Sequence, residues 1–150
     1  MKKNILEEHV KDELFQRVER LTESSPAVWG TMNATEMMHH LKQSLVIIMG
    51  AEPSDKTSTL KQKIFKQFML HVIPKYPQGA KAPHSIDMKK SNIQTNSFES
   101  EKEGLHEKLK LFIMQENIHA VHPYFGILNR KEWGIFTWMH LDHHLRQFGV

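Results

Sequence analysis

Hydrophobic residues recur at helical spacing in five parts of the chain. Apolar positions three or four residues apart mark the buried face of a helix. Two of the five segments also begin with an Asn that precedes a Glu by three residues, the spacing of a capping box. These pairs are Asn33 with Glu36 and Asn129 with Glu132. The predicted helices cover 5–22, 33–49, 58–72, 97–117 and 129–148.

Residues 73–96 separate the third and fourth periodic segments. This stretch holds three prolines and one glycine and shows no sustained period, which predicts a long loop. No segment alternates long enough to form a sheet. The sequence therefore predicts one all-α domain over 1–150, a four-helix bundle with an extra helix and a long loop between the second and third bundle helices. Because such loops are often functional, we expect this one to border the site.

The composition limits the chemistry that is available. The 150 residues include no Cys, so disulfides, thiolate zinc sites and a cysteine nucleophile are excluded. The net charge is only +3, and the basic residues are scattered among acidic ones, which disfavours nucleic acid as a partner. The sequence shows neither a signal peptide nor a run of about 20 apolar residues. It predicts a cytoplasmic protein without a membrane partner.

Histidine is abundant, with 11 residues, and it is the commonest metal ligand. His140 and His144 are four residues apart, so both can direct a ring nitrogen at one point. On the second helix, His40 lies on the flank of the apolar face, whereas His39 lies nearly opposite it. His143 lies at the edge of the face of the last helix that carries His140 and His144. The angular positions around the two helices thus group His40, His140 and His144. These three histidines are either metal ligands or hydrogen-bonded side chains.

Other catalytic motifs fit less well. A zincin motif needs Glu directly after the first His, where Leu141 stands, and the inverted form needs Glu where His143 stands. A triad of Ser44, His143 and Asp142 lacks the GxSxG elbow. Five other histidines are interpreted as solvated or hydrogen-bonded, namely His9, His39, His71, His84 and His106. His119 and His122 bracket a turn and are interpreted as capping or surface residues.

Three stretches, WGTMNATEMMHHL, HPYFG and EWGIFTWMHLDHHLRQF, resemble the DinB/YfiT-like superfamily. The resemblance implies a DinB/YfiT-type four-helix bundle that holds a divalent metal, zinc or nickel. It implies His40, His140 and His144 as the ligands and gives His143 no ligand role. Some members of that superfamily are thiol-dependent transferases and isomerases, and dimers are common among them, so a homodimer is also implied.

These features lead to the hypothesis of a divalent-metal-dependent enzyme that activates a water or an external low-molecular-weight thiol. Its substrate would be an electrophilic small molecule. The alternative is a non-enzymatic metal-binding or stress-response protein. Glu36 and Gln147 are candidate catalytic residues, and Tyr76 and Lys81 in the long loop are candidate substrate contacts.

Overall fold

The computed structural model describes residues 2–79, 88 and 93–150. The chain is mostly helical, as the sequence predicts. A two-stranded antiparallel sheet, which the sequence pattern does not predict, pairs Val121 with Ile127 and His122 with Gly126. The elements in chain order are α1 (Glu8–Glu19), α2 (Ala34–Met49), α3 (Leu60–Gln67), a π-helix (Phe68–Val72), α4 (Phe98–Met114), β1 (Val121–His122), β2 (Gly126–Ile127) and α5 (Arg130–Gln147).

Both predicted capping boxes are confirmed. Asn33 Oδ1 accepts from the Glu36 N–H at 2.8 Å, and the Glu36 carboxylate accepts from the Asn33 N–H at 2.9 Å. Asn129 and Glu132 form the same reciprocal pair. Because each box satisfies N–H groups that the helix itself leaves free, it determines where α2 and α5 begin.

The apolar core lies among α1, α2, α4 and α5. The N-terminal segment packs on α5, where the Ile5 N–H donates to the carbonyl of Gly134 at 3.3 Å. A Cβ at Gly134 would lie 2.0 Å from Asn4 Oδ1, so only glycine permits this approach. The segment therefore closes one side of α5, and the opposite side of that helix is left to face α2.

The third helix differs from the others in what it buries. Its first turn is capped by Thr59 and Gln62, but α3 contributes no buried residue. The first buried side chains of this segment are Met69 and Leu70, in the π-helix. The apolar period of this segment therefore marks an outward face rather than a core face.

No helix among the described residues combines the length and the apolar content that crossing a membrane would require.

Candidate metal centre

Three imidazole rings meet between α2 and α5. The rings belong to His40, His140 and His144. Each contributes one nitrogen, and these three nitrogens lie within 4.8 Å of one another. Nε2 of His40 and Nε2 of His140 are 3.1 Å apart. The ring centroids of His40 and His144 are 4.7 Å apart, and those of His140 and His144 are 4.9 Å apart. The structure thus brings together the three histidines that helical phase grouped, and this cluster could hold a metal ion.

The surroundings of the cluster keep the imidazoles of His140 and His144 neutral. Burial, and then the neighbouring histidines, hold the pKa of His140 well below its usual range. Burial also lowers the pKa of His144, to about 3, with a further contribution from His40. Metal ligation needs the neutral ring with a free lone pair. His140 and His144 therefore already have the protonation state that a metal requires at neutral pH.

Gln147 determines which nitrogen of His144 carries the proton. The Gln147 Nε2 donates to the carbonyl of Trp29 at 2.8 Å, so its Oε1 is the atom that faces His144. That oxygen can only accept, and His144 Nδ1 donates to it at 2.9 Å. Nε2 of His144 consequently keeps its lone pair for the cluster. Such outer hydrogen bonds orient the histidine ligands of metal sites.

The turn before α2 supports this arrangement. Gly30 has a φ of +83°, and a Cβ there would lie 2.2 Å from Gln147 Nε2. The Val28 N–H also donates to the carbonyl of Gln147 at 2.7 Å. The roles of Trp29 and Gly30 are not apparent from the sequence pattern. The available signal was a glycine shortly before the Asn33 cap, but its partner is more than a hundred residues away.

His39 lies outside the cluster, as helical phase predicts, and it is buried and hydrogen-bonded, which is one of the two roles that the sequence left open. Its Nδ1 lies 3.0 Å from Oε1 of Glu101, a fully buried carboxylate on α4. Lys42 Nζ is 2.5 Å from the other oxygen of Glu101, and the Asn96 N–H donates to Oε1 at 2.9 Å. Burial alone would raise the pKa of Glu101, but the bonds from Lys42, His39 and Asn96 lower it to about 2.

His143 and Tyr76 form the border between the cluster and the start of the long loop. The His143 ring is 5.0 Å from that of His144 and 5.5 Å from that of Tyr76. His143 Nδ1 lies 3.4 Å from the carbonyl oxygen of Tyr76. Burial raises the pKa of the Tyr76 phenol. The described start of the loop therefore contacts α5 one residue from His144, and Lys81 lies outside the described residues.

The other candidates have structural partners. Glu36 caps α2, which agrees with its capping role in the sequence. Ser44 Oγ donates to the carbonyl of Leu41 at 2.8 Å. Asp142 accepts from Arg17 at 2.9 Å. Among the described residues, neither Ser44 nor Asp142 hydrogen-bonds to His143, so the geometry gives no support to the triad.

His122 caps the turn between β1 and β2 inside an aromatic pocket. Its Nδ1 accepts from the N–H groups of Tyr124 and Phe125, both at 3.2 Å. Its ring stacks on Phe125 with centroids 4.2 Å apart and meets Phe136 edge-on at 4.7 Å. Burial lowers the pKa of His122 to about 4. The predicted capping role is confirmed, and Phe136, which also stacks on His140, joins this turn to the cluster.

Comparison with known proteins changes the family assignment. A family model described as "Protein of unknown function (DUF1569)" matches residues 1–149. No curated protein and no solved structure matches the chain. The resemblance to the DinB/YfiT-like superfamily is therefore corrected, because the family that matches is a distinct one.

Proposed function

The chain belongs to the DUF1569 family, and we propose that it is a divalent-metal-dependent enzyme whose ion is held by His40, His140 and His144. The convergence of three imidazole nitrogens within 4.8 Å carries this proposal. In it, α1, α2, α4 and α5 form the four-helix bundle that the sequence predicts, and the site lies between two of its helices.

The donor set suits zinc or nickel. Imidazole is a favoured ligand of both ions, and a set without thiolate or carboxylate disfavours calcium and magnesium. His40 and His144 are buried, whereas His140 keeps partial exposure. Three protein ligands leave positions for other molecules, which is the arrangement of catalytic rather than closed structural sites. The exposed edge of His140 is the side from which we expect a substrate to approach.

A divalent ion at such a site supplies Lewis acidity, which lowers the pKa of a water or a thiol. The protein contributes the side chains that orient the ligands. Gln147 holds His144 in the tautomer whose lone pair faces the cluster, and Phe136 packs against the ring of His140. Because the chain contains no Cys, a thiol nucleophile has to be a separate small molecule. Tyr76, beside His143, is the residue that we expect to contact the electrophilic substrate.

The test begins with metal content. Chelator-treated protein reconstituted with Zn²⁺ or Ni²⁺ should retain about one ion per chain, because one triad forms per chain. The loaded protein is then assayed with low-molecular-weight thiols and an activated aryl halide or epoxide, and separately with an activated ester for water attack. His144→Ala is the inactive control, and exposed His119→Asn is the matched variant that should keep metal and activity.

The outcomes separate the two readings. Turnover that requires both metal and His144 supports the enzyme. Stoichiometric binding of a metal with no exchangeable water, together with no turnover of any probe, favours the non-enzymatic metal-binding protein. Failure to retain metal after reconstitution would rule out both.

A further inference from the structure

The outward side of α3 and the π-helix exposes large apolar side chains to solvent. Leu60 is 74% exposed, Ile64 is 63% exposed and Val72 is 64% exposed. Phe65 and Phe68 are also exposed, and the ring of Phe65 packs at a tilt on that of Phe125. Single exposed apolar residues are ordinary, but five within thirteen consecutive positions indicate an interaction surface. We call these five residues the α3 face.

Within α3 and the π-helix, the residues that carry a full charge at neutral pH are all lysines. No Asp or Glu occurs between Lys56 and Ile86. Lys61 and Lys63 are exposed, and neither forms an ion pair among the described residues. Lys56 stands before α3, and Lys75 follows the π-helix. Lys61 and Lys63 therefore place positive charge beside the apolar ridge, and the nearest carboxylate before them in the chain is that of Asp55.

Polar contacts join α3 and the residues just before it to the rest of the protein, so the helix has a fixed position at the surface. Lys66 Nζ lies 2.9 Å from the Glu132 carboxylate of α5. Gln62 Nε2 donates to the carbonyl of Pro123 at 3.0 Å, and the Ile127 N–H donates to Ser58 Oγ at 2.7 Å. The one lysine that points inward is thus the anchor, and the outward lysines stay available.

The sequence predicts no membrane partner, but the exposed apolar ridge and its lysines change that expectation, and we propose that the α3 face docks on an anionic lipid surface. A short helix with Phe and Leu on one side and lysines at its borders lies in the plane of such a surface, with its apolar side among the acyl chains. The lysine stems can bury along the apolar layer while their ammonium groups reach the phosphates. Attraction to anionic lipid then adds to apolar burial.

Two other occupants fit less well. In a two-fold dimer each copy offers the same patch, so Lys61 and Lys63 would meet another basic surface without a carboxylate. An acidic protein partner would have to supply a groove that fits a convex ridge of five side chains. A lipid surface satisfies both the ridge shape and the charge sign without a shaped partner.

The inference does not depend on the metal. Its test is co-sedimentation of the full chain with vesicles of phosphatidylcholine alone and of phosphatidylcholine mixed with phosphatidylserine, at low and high salt. We expect binding to the mixed vesicles only, weakened by salt. Lys61→Glu should weaken partitioning by about fivefold for each unit of charge changed, and Ile64→Glu should abolish it. His144→Ala should bind vesicles like the wild type.

Matched controls come from an exposed part of α4, where Lys110→Glu and Leu111→Glu make the same chemical changes and should leave partitioning intact. Circular dichroism verifies that each variant is folded, which we expect because the altered side chains are exposed. Equal binding to both vesicle types, binding unaffected by Lys61→Glu and Ile64→Glu, or no binding at all would overturn the proposal. So would an Ile64-dependent dimer in size-exclusion chromatography without vesicle binding, which would assign the face to a second copy.

Discussion

His39 and His40 are neighbours in sequence, but their rings contact residues of two different helices. His39 pairs with Glu101 of α4, at 3.0 Å, and His40 meets His140 of α5, at 3.1 Å. Adjacent helical residues point about 100° apart, which is enough to divide them between two neighbouring helices. The His39–Glu101 pair joins α2 to α4, and the His40–His140 contact joins α2 to α5.

The first prediction follows from this division. His40→Ala, His140→Ala and His144→Ala should each weaken Zn²⁺ binding by about a hundredfold or more, because two imidazoles hold the ion poorly. His39→Ala and His143→Ala should leave Zn²⁺ affinity nearly unchanged. Titration against a competing chelator measures all five.

Stability distinguishes the two controls. His39→Ala should cost about 1–3 kcal/mol of unfolding free energy, since it removes a hydrogen-bond partner from the buried Glu101 carboxylate. Loss of zinc in His143→Ala as severe as in His144→Ala, or in His39→Ala as severe as in His40→Ala, would show that the ligand assignment is wrong.

The second prediction concerns the support beneath His144. Gln147→Ala should lower metal affinity by about 10- to 100-fold while the three histidines remain, because the imidazole loses the group that fixes its tautomer. Gly30→Ala should act in the same direction, since its Cβ would displace Gln147. Gly79→Ala is the matched control, with a positive φ but no atom within 4 Å of an added Cβ. If Gly30→Ala lost stability but kept full zinc affinity, the turn would have no role at the site.

The third prediction concerns acid stability through Glu101. Its pKa is about 2 when folded and near 4.5 otherwise, so the folded state stabilises the carboxylate. This stabilisation, about 1–3 kcal/mol, is present above pH 4.5 and is lost as the pH falls toward 2. Glu101→Gln should therefore be less stable than the wild type at pH 7 and should lose less stability over that window. Urea unfolding measures it, and exposed Glu103→Gln should follow the wild-type curve.

The fourth prediction concerns a higher pH window. The pKa of His122 is about 4 when folded and near 6.5 otherwise, so the unfolded chain takes up a proton first as the pH falls from 6.5 to 4. The wild type should lose stability there by up to about 1 kcal/mol per pH unit from this residue. His122→Asn keeps a turn acceptor without titrating, and its slope should be shallower. His119→Asn serves as the control, and an unchanged slope in His122→Asn would contradict the assignment.

Local signals predicted the helices well. Each Asn–Glu pair needs only four residues to form, so the starts of α2 and α5 were readable directly. The phases of His40, His140 and His144 were readable for the same reason, since the periodicity of a helix is a local property.

Long-range contacts explain what the sequence did not reveal. The burial of His39 depends on Glu101, which lies 62 positions away. The pocket around His122 and the contact of Gly30 with Gln147 are likewise made by residues distant in sequence. Periodicity in α3 correctly indicated a helix with an apolar side, but it carries no information about whether that side faces the core or the solvent.

The separation of the three histidines along the chain also affects how the site assembles. His140 and His144 are one turn apart and meet as soon as α5 is helical, whereas His40 is 100 positions from His140. In the unfolded chain the effective concentration of the third imidazole near the other two is low, because a loop of that length is costly to close. Metal affinity should therefore rise in two stages during refolding. The second stage would mark the moment at which the two halves of the chain come together, which makes a bound ion a probe of chain closure.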